Sequence, residues 1–213
     1  MPVVGAGYGP TLPEMLGARR WRVVRAAAVV VAVVGAILLL VKPGEESRST
    51  FDVRGPGGTV ATFDYQAPLR PASSARPATV EERRGDVFVQ SMTVSALALP
   101  AYRGDVGGEL PLVADRFQRR LAARHADFEL VDEGRARIKN NPGYAFSWTA
   151  RVDGRRLFGH DYLLVHEDAV APRSGFHLKL RATYAAGVAS GDDVGRIGPL
   201  RLALHTFSFD PPA

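Results

Sequence analysis

The hydrophobic pattern contains one uninterrupted apolar run, Ala26 to Val41, with the sequence AAAVVVAVVGAILLLV. A surface helix alternates apolar and polar positions, and this run does not, so it predicts a helix that is apolar on all sides. Together with Val23 and Val24 it is long enough to cross a bilayer core. We therefore place a transmembrane helix at residues 23–42, preceded by a flexible tail at residues 1–22.

Charged residues on both sides of the apolar run predict its orientation. Four arginines precede the run, and a lysine and two glutamates follow it: Arg19, Arg20, Arg22, Arg25, Lys42, Glu45 and Glu46. Basic residues stay on the cytoplasmic side, so the N-terminus is expected inside the cell and the C-terminal domain outside the cell membrane. A cleaved signal peptide is the alternative, but it has a shorter apolar core that ends in small residues. The ending ILLLVKPGEES favours an uncleaved, single-pass signal-anchor.

After a glycine- and proline-containing linker at residues 43–58, the pattern predicts one extracytoplasmic domain at residues 59–210. Period-two alternation, typical of strands, recurs along this domain, and one segment has the 3.6-residue period of an amphipathic helix. A proline-rich loop, Ala67–Thr79, separates the first two strands. The predicted strands are Thr59–Gln66, Asp86–Leu99, Phe128–Ile138 with an interruption at 132–134, Gly175–Tyr184, and a short closing strand with Phe207 and Phe209; the helix is Leu110–His125, with Val113, Phe117 and Leu121 buried.

The strongest local signal in the domain is a β-hairpin around Asp153-Gly154. Tyr144, Phe146 and Trp148 alternate with polar residues before the turn, and Leu157 to His166 returns as the partner strand. An Asp-Gly pair suits such a turn because both central residues need positive φ. In the strand that follows, His177, Lys179 and Arg181 are expected to face outward. Ser190 is expected to cap a short helix, and the segment 200–204 fits a strand or a helix equally well.

In this order the elements resemble the Mog1/PsbP-type α/β sandwich. The resemblance is carried by the strand TFDYQ, the amphipathic helix, the hairpin GYAFSWTARVDGRRLFGHDYLLV, the strand FHLKLRATY and the closing HTFSF. It implies an α+β fold, an antiparallel sheet with packed helices, and a mostly non-enzymatic accessory or binding module. The resemblance transfers no catalytic residue. Only three of the 27 basic residues are lysines, a composition typical of high-GC bacteria, which suggests a membrane-anchored envelope protein of actinobacterial type.

The charge of +5 belongs mainly to the membrane-proximal segment. Residues 1–42 hold five of the 27 basic and one of the 22 acidic residues, which leaves 22 and 21 for the rest of the chain. A nearly neutral domain argues against a nucleic-acid partner, because phosphate binding needs a local excess of cations. The absence of cysteine excludes disulfides, thiol chemistry and cysteine-type zinc sites.

Three histidines are the strongest candidates for a metal site. His160 and His166 share a face of one regular strand, and His177 belongs to the strand that follows it in the chain. The two histidines of one strand lie too far apart to converge, so we interpret all three as exposed polar residues at a strand edge and its loop. Glu81 to Arg84 is interpreted as a solvated charge run. The aromatic residues Tyr144, Phe146 and Trp148 are interpreted as core rather than as a ligand groove.

No G-x-S-x-G, Walker or G-x-G-x-x-G motif is present in the sequence. We therefore predict no catalytic, cofactor-binding or metal-binding residue, no cofactor, and a non-enzymatic binding or scaffolding module of the bacterial envelope. Its partners are expected to be the lipid bilayer, through residues 23–42, and a second envelope protein that binds the sheet face or the loop Ala67–Thr79. The alternative is an envelope enzyme acting on cell-wall glycan or lipid, for which a cleft with clustered acid and base groups is expected. A third hypothesis, ligand carriage, requires an apolar cavity behind the aromatic hairpin.

Overall fold

The computed structural model describes residues 48–55, 59–72, 77–100, 104–165 and 174–209. The predicted tail, the predicted transmembrane helix and His166 lie outside these residues. Within the described ranges, no helix is both long enough and apolar enough to span a membrane. Residues 47–213 form one compact unit.

The domain contains ten strands and two α-helices among its described residues. In chain order these are β1 (Ser49–Arg54), β2 (Val60–Tyr65), β3 (Arg70–Pro71), β4 (Ala78–Arg84), β5 (Val87–Ala98), α1 (Val106–Arg124), β6 (Ala126–Ile138), β7 (Asn141–Val152), β8 (Arg155–Val165), β9 (Ser174–Ala182), two 3₁₀ turns (Tyr184–Ala186 and Gly191–Asp193), α2 (Leu200–Thr206) and β10 (Ser208–Phe209).

The strands form two antiparallel sheets. The large sheet has seven strands in the order β3-β4-β5-β9-β8-β7-β6, and the small sheet has three in the order β1-β2-β10. Every strand pair is antiparallel. The predicted α+β class, with antiparallel strands and packed helices, is therefore confirmed, although the strands form two sheets rather than one.

The large sheet is covered on both faces, and each face has its own apolar core. One core joins the large sheet to the small sheet and α2, and includes Phe63, Met92, Phe158, Leu178 and Phe207. The other core lies under α1 and includes Leu110, Val113, Phe146, Trp148 and Leu163. Each fully buried side chain of this kind stabilises the fold by about 1.5–3 kcal/mol. We call the two faces of the large sheet the α2 face and the α1 face.

The first strand lies inside the range predicted to be a linker. β1 pairs with β2 over its whole length, from Ser49 opposite Tyr65 to Arg54 opposite Val60. Phe51 and Val53 alternate with Asp52 and Arg54, but this period-two pattern spans only four residues, and only Val53 is fully buried. The order of β1 comes from the partner strand, and the predicted domain boundary at residue 59 is therefore about ten residues too late.

The charge run Glu81 to Arg84 belongs to β4, and only Glu82 of its four residues is buried. Glu82 is only 4% exposed, and its carboxylate accepts hydrogen bonds from Gln90 Nε2 at 2.6 Å and Arg84 Nε at 3.1 Å. β4 begins at Ala78, and the two-residue β3 lies within the predicted loop Ala67–Thr79. The interpretation as a solvated run therefore holds for the exposed Arg83 and Arg84 and is wrong for Glu82, whose buried charge is paired.

The remaining secondary-structure predictions are largely confirmed. The hairpin turn has positive φ at both residues, 48° at Asp153 and 73° at Gly154. Ser190 caps the second 3₁₀ turn, and the ambiguous segment becomes helix α2. β6 differs from the prediction because it runs without a break, and register shifts between residues 126 and 132 accommodate its irregular pattern.

Candidate functional site

A polar cluster lies on the α1 face of the central strands. Side chains alternate along β9, so Phe176, Leu178 and Leu180 enter the core on the α2 face. His177 of β9 instead lies beneath α1, with its ring centroid 4.5 Å from that of Phe117. The prediction that the polar residues of β9 face solvent was wrong for His177, which is 3% exposed, because α1 covers this face of the sheet.

Asp161 of β8 is the centre of this cluster and is 1% exposed. It accepts hydrogen bonds from Trp148 Nε1 at 2.8 Å and from His177 Nε2 at 2.7 Å. Arg181 pairs with both carboxylate oxygens, with Nη1 2.7 Å from Oδ2 and Nη2 3.1 Å from Oδ1. The Arg181 guanidinium also lies 4.6 Å from the centre of the Trp148 ring. A bidentate arginine and two further donors satisfy a buried carboxylate, which would otherwise be strongly unfavourable.

The ionisation of Asp161 follows from these contacts. Burial by itself would raise the pKa of Asp161, but the Arg181 charge and the hydrogen bond from His177 hold the pKa well below its ordinary range. Burial lowers the pKa of His177 and outweighs the opposing effect of Asp161. Asp161 is therefore a permanent carboxylate, and the hydrogen of neutral His177 lies on Nε2, the nitrogen that donates to it.

A cavity of about 240 Å³ opens beside this cluster, between α1 and strands β8 and β9. We call it the cationic cavity. Its lining includes four basic side chains, three arginines and one lysine, against a single carboxylate: Arg120, Arg124, Lys179 and Arg181 against Asp161. Within the described part of the chain, no carboxylate lies within ion-pair distance of Arg120, Arg124 or Lys179. Asp161 is already paired with Arg181, so three cations remain uncompensated.

The electrostatics of Lys179 reflect this excess of positive charge. Burial lowers the pKa of Lys179, and although Asp161 opposes the effect, the charges of Arg181, Arg120 and Arg124 lower it further. An anion in the cavity would attract all of these cations and so offset the repulsion among them. The cavity is therefore suited to an oxyanion such as a phosphate or a carboxylate.

A second cavity, of about 410 Å³, lies on the other side of Phe117, between α1 and the end of β5. We call it the apolar groove. Its apolar lining residues are Leu97, Ala98, Pro100, Val113 and Phe117, and three arginines of α1 also contribute. Phe117 and Arg120 line both cavities, and the Arg120 guanidinium lies 4.4 Å from the centre of the Phe117 ring.

The histidines proposed from the sequence do not come together. His160 lies on the α2 face, packs against Tyr162 at 4.4 Å between ring centroids, and has Nδ1 3.2 Å from the Val194 carbonyl. His177 lies on the opposite face. Both are buried, so their interpretation as exposed residues at a strand edge was wrong: β8 and β9 are central strands. Among the described residues, no three His, Cys, Asp or Glu side chains are close enough to hold a metal ion.

The aromatic residues of β7 lie where the core interpretation predicted. Phe146 and Trp148 are buried beneath α1, and Tyr144 packs at the border of the same core. Sequence reasoning did miss Asp161 and the cations around it. Two features of the sequence could have indicated the site: the polar alternation of His177, Lys179 and Arg181, and the arginines of the predicted helix. They indicate a site only when the strand and the helix are known to face each other.

Protonation of His160 is expected to destabilise the domain at acidic pH. Burial lowers the pKa of His160 from its ordinary value of 6.5, and the Val194 carbonyl only partly offsets this. The unfolded chain then binds the proton more tightly, so the free energy of unfolding falls as pH falls below 6.5, by at most about 1.4 kcal/mol per pH unit for this one proton. Urea unfolding of the parent and of His160→Gln, above and below pH 6.5, measures the free energy of unfolding of each protein. An equal dependence on pH in the two proteins would contradict the role of His160.

Comparisons with known proteins give structural similarities only. No family model matches the chain, and no curated protein matches it significantly. LpqN of Mycobacterium tuberculosis, described as involved in cell envelope biogenesis, is 14% identical with a TM-score of 0.49 and covers 77% of this chain and 92% of its own.

Two further similar structures are the Ran-binding protein Mog1p of Saccharomyces cerevisiae and the cyanobacterial PsbP of Synechocystis. Mog1p is 10% identical, with a TM-score of 0.46 over 76% of this chain and 96% of its own. PsbP is 13% identical, with a TM-score of 0.45 over 78% and 94%. The proteins that define the expected Mog1/PsbP-type fold are thus among the similar structures. With TM-scores below 0.5, these similarities transfer no function to the chain.

Proposed function

We propose that this protein is a single-pass, membrane-anchored binding module of the bacterial envelope, whose extracytoplasmic domain binds an anionic group in the cationic cavity. The observation that supports the proposal is the charge of that cavity. Arg120, Arg124 and Lys179 surround it, and its one carboxylate, Asp161, is already held by Arg181. Uncompensated cations beside a partly enclosed cavity favour an anionic ligand over a neutral one.

The placement in the membrane depends on the sequence around the apolar run. The arginines before residue 26 and the charged residues from Lys42 onward favour an anchor with the domain outside the cytoplasm. The description of LpqN as an envelope biogenesis protein agrees with this placement, but at a TM-score of 0.49 it adds no support.

The alternative function is an envelope enzyme acting on cell-wall glycan or lipid. The cavity does bring an acid and two histidines together: its lining includes Asp161, His125 and His177. Asp161, however, accepts from Trp148, His177 and Arg181 at once, and its low pKa makes it a poor proton acceptor. An ionised, fully hydrogen-bonded carboxylate holds its neighbouring side chains in position. The role of Asp161 therefore favours a binding site over a site of proton transfer.

Titration of the full-length protein with pyrophosphate tests the proposed site. The protein is reconstituted in phosphatidylcholine nanodiscs and studied by isothermal titration calorimetry, with empty nanodiscs as the blank. Binding is expected to weaken with rising salt, because its driving force is electrostatic. Lys179→Gln is expected to weaken binding roughly tenfold, the effect of losing one charge-assisted contact.

The matched control is Arg201→Gln, which removes one exposed cation from α2, far from the cavity lining. It changes the net charge of the domain by the same amount as Lys179→Gln and is expected to leave binding unchanged. Absence of pyrophosphate binding, or equal losses in the two variants, would refute the cationic cavity as the ligand site.

A further inference from the structure

The cationic cavity and the apolar groove adjoin each other along α1. Phe117 and Arg120 line both, so the two spaces meet at one turn of the helix. From this juxtaposition we infer that the natural ligand is an amphiphile, with an oxyanion head in the cationic cavity and an apolar chain in the groove. The inference is based on the proposed function and names the ligand class for the same site.

The head of such a ligand meets cations from two sides of the cavity. Arg120 and Arg124 lie one turn apart on α1, and Lys179 approaches from β9 on the sheet. Arg124 and Lys179 line the cationic cavity but not the apolar groove. In addition to Arg120, which both spaces share, the cavity therefore has two cations that the groove lacks, and these favour the anionic head there.

The chain of the ligand meets carbon-rich side chains. Leu97, Ala98 and Pro100 line the groove from the end of β5, and Val113 and Phe117 line it from α1. The volumes of about 410 and 240 Å³ place the combined site in the range of roughly 300–1,000 Å³ that is usual for small-molecule ligands. An apolar chain would remove these side chains from water and gain from their burial.

Arg120 and Phe117 form the junction between the two parts. The Arg120 guanidinium lies over the Phe117 ring, which also packs against the ring of His177 on the sheet. A cation above an aromatic ring offers a charged surface to the head and an apolar surface to the first carbons of the chain. A neutral apolar ligand would use only the groove, and a small anion would use only the cavity.

Photo-crosslinking of the full-length protein in phosphatidylcholine vesicles tests this inference. The probe is a lysophosphatidic acid with a diazirine in its acyl chain, and the comparison probe is a monoacylglycerol with the same chain and no phosphate. Labelled peptides are mapped by mass spectrometry and normalised to the label on residues 23–42, which corrects for the amount of probe in the bilayer. Labelling of residues 97–100 and 113–120 is expected to be about tenfold higher with the phosphate-headed probe.

Two substitutions at exposed positions separate the head from the chain. Arg120→Gln removes a cation at the junction, and Pro100→Asp places a charge at the rim of the apolar groove; each is expected to reduce this labelling at least fivefold, about the effect of one lost contact. The matched controls are Arg201→Gln on α2 and Ala96→Asp, an exposed position of β5 that lines neither cavity. Both controls are expected to label like the parent protein.

The outcomes distinguish this inference from the proposed function. Pyrophosphate binding without preferential labelling by the phosphate-headed probe overturns the amphiphile and leaves the anion site intact. Equal labelling by the two probes overturns it as well, since the head would then contribute nothing. Labelling that aqueous dodecyl phosphate displaces, and inorganic phosphate does not, supports a free amphiphile. Specific labelling that dodecyl phosphate leaves unchanged supports a lipid of the bilayer.

Discussion

Asp161→Ala is expected to lower the free energy of unfolding by about 3–5 kcal/mol, the usual cost of removing one partner from a buried ion pair. The substitution leaves Arg181, His177 and Trp148 without the acceptor that all three share. Arg181 would then be a half-buried cation beside Lys179, with no opposite charge to balance it. Urea unfolding of the parent and the variant measures the difference.

The matched control for this experiment is Glu129→Ala. Glu129 also pairs with an arginine, Arg156 at 3.6 Å, but its side chain is 69% exposed, so its loss is expected to change stability by about 0–1 kcal/mol. The double variant Asp161→Ala/Arg181→Met is expected to recover part of the loss, because it removes the uncompensated charge as well. An effect of Asp161→Ala no larger than that of Glu129→Ala would contradict the role assigned to Asp161.

Gly159→Ala is expected to destabilise the domain by about 1–3 kcal/mol, the usual effect of adding a methyl group to a packed core. A Cβ at residue 159 would overlap the Trp148 indole and lie 2.6 Å from its Nε1. The indole has nowhere to move, because it is fully buried, donates to Asp161 and lies under the guanidinium of Arg181.

The control for Gly159→Ala is Gly134→Ala in the edge strand β6. A Cβ at residue 134 meets no atom within 4 Å, so the lower entropy of the unfolded chain is expected to leave stability unchanged or raise it by up to about 1 kcal/mol. Thermal unfolding followed by circular dichroism compares the two variants. Equal shifts of the melting temperature in the two variants would show that the packing of Trp148 does not require a glycine at residue 159.

The two predictions concern one structural unit that connects the core to the candidate site. Gly159 makes room for Trp148, Trp148 donates to Asp161, and Asp161 holds Arg181 at the wall of the cationic cavity. The chain of contacts positions Arg181 and keeps it from binding a ligand strongly. The cations left for the ligand are those of α1 and Lys179.

Local patterns in the sequence predicted most of the elements on their own. The hairpin at Asp153-Gly154 and the amphipathic helix are determined by neighbouring residues, through the positive φ of the turn and the spacing of Val113, Phe117 and Leu121. The structure bears both out. The same patterns failed for β1, whose alternation spans only four residues, and for β4, where charged residues interrupt it; each strand is paired along its length with a neighbour.

The candidate site depends on contacts between residues far apart in the chain, and periodicity carries no information about them. Alternation along β9 placed Phe176 and Leu178 on one face of the sheet and His177 and Lys179 on the other. It did not indicate whether the face with His177 is covered by water or by a helix. Only the packing of α1 against this face buries His177, aligns Asp161 with Arg181, and brings Arg120 and Arg124 opposite Lys179. Most of the elements could be predicted from the sequence, because a turn, a helical period and strand alternation depend on neighbouring residues. The candidate site could not, because the role of a charged side chain depends on the groups that packing places around it.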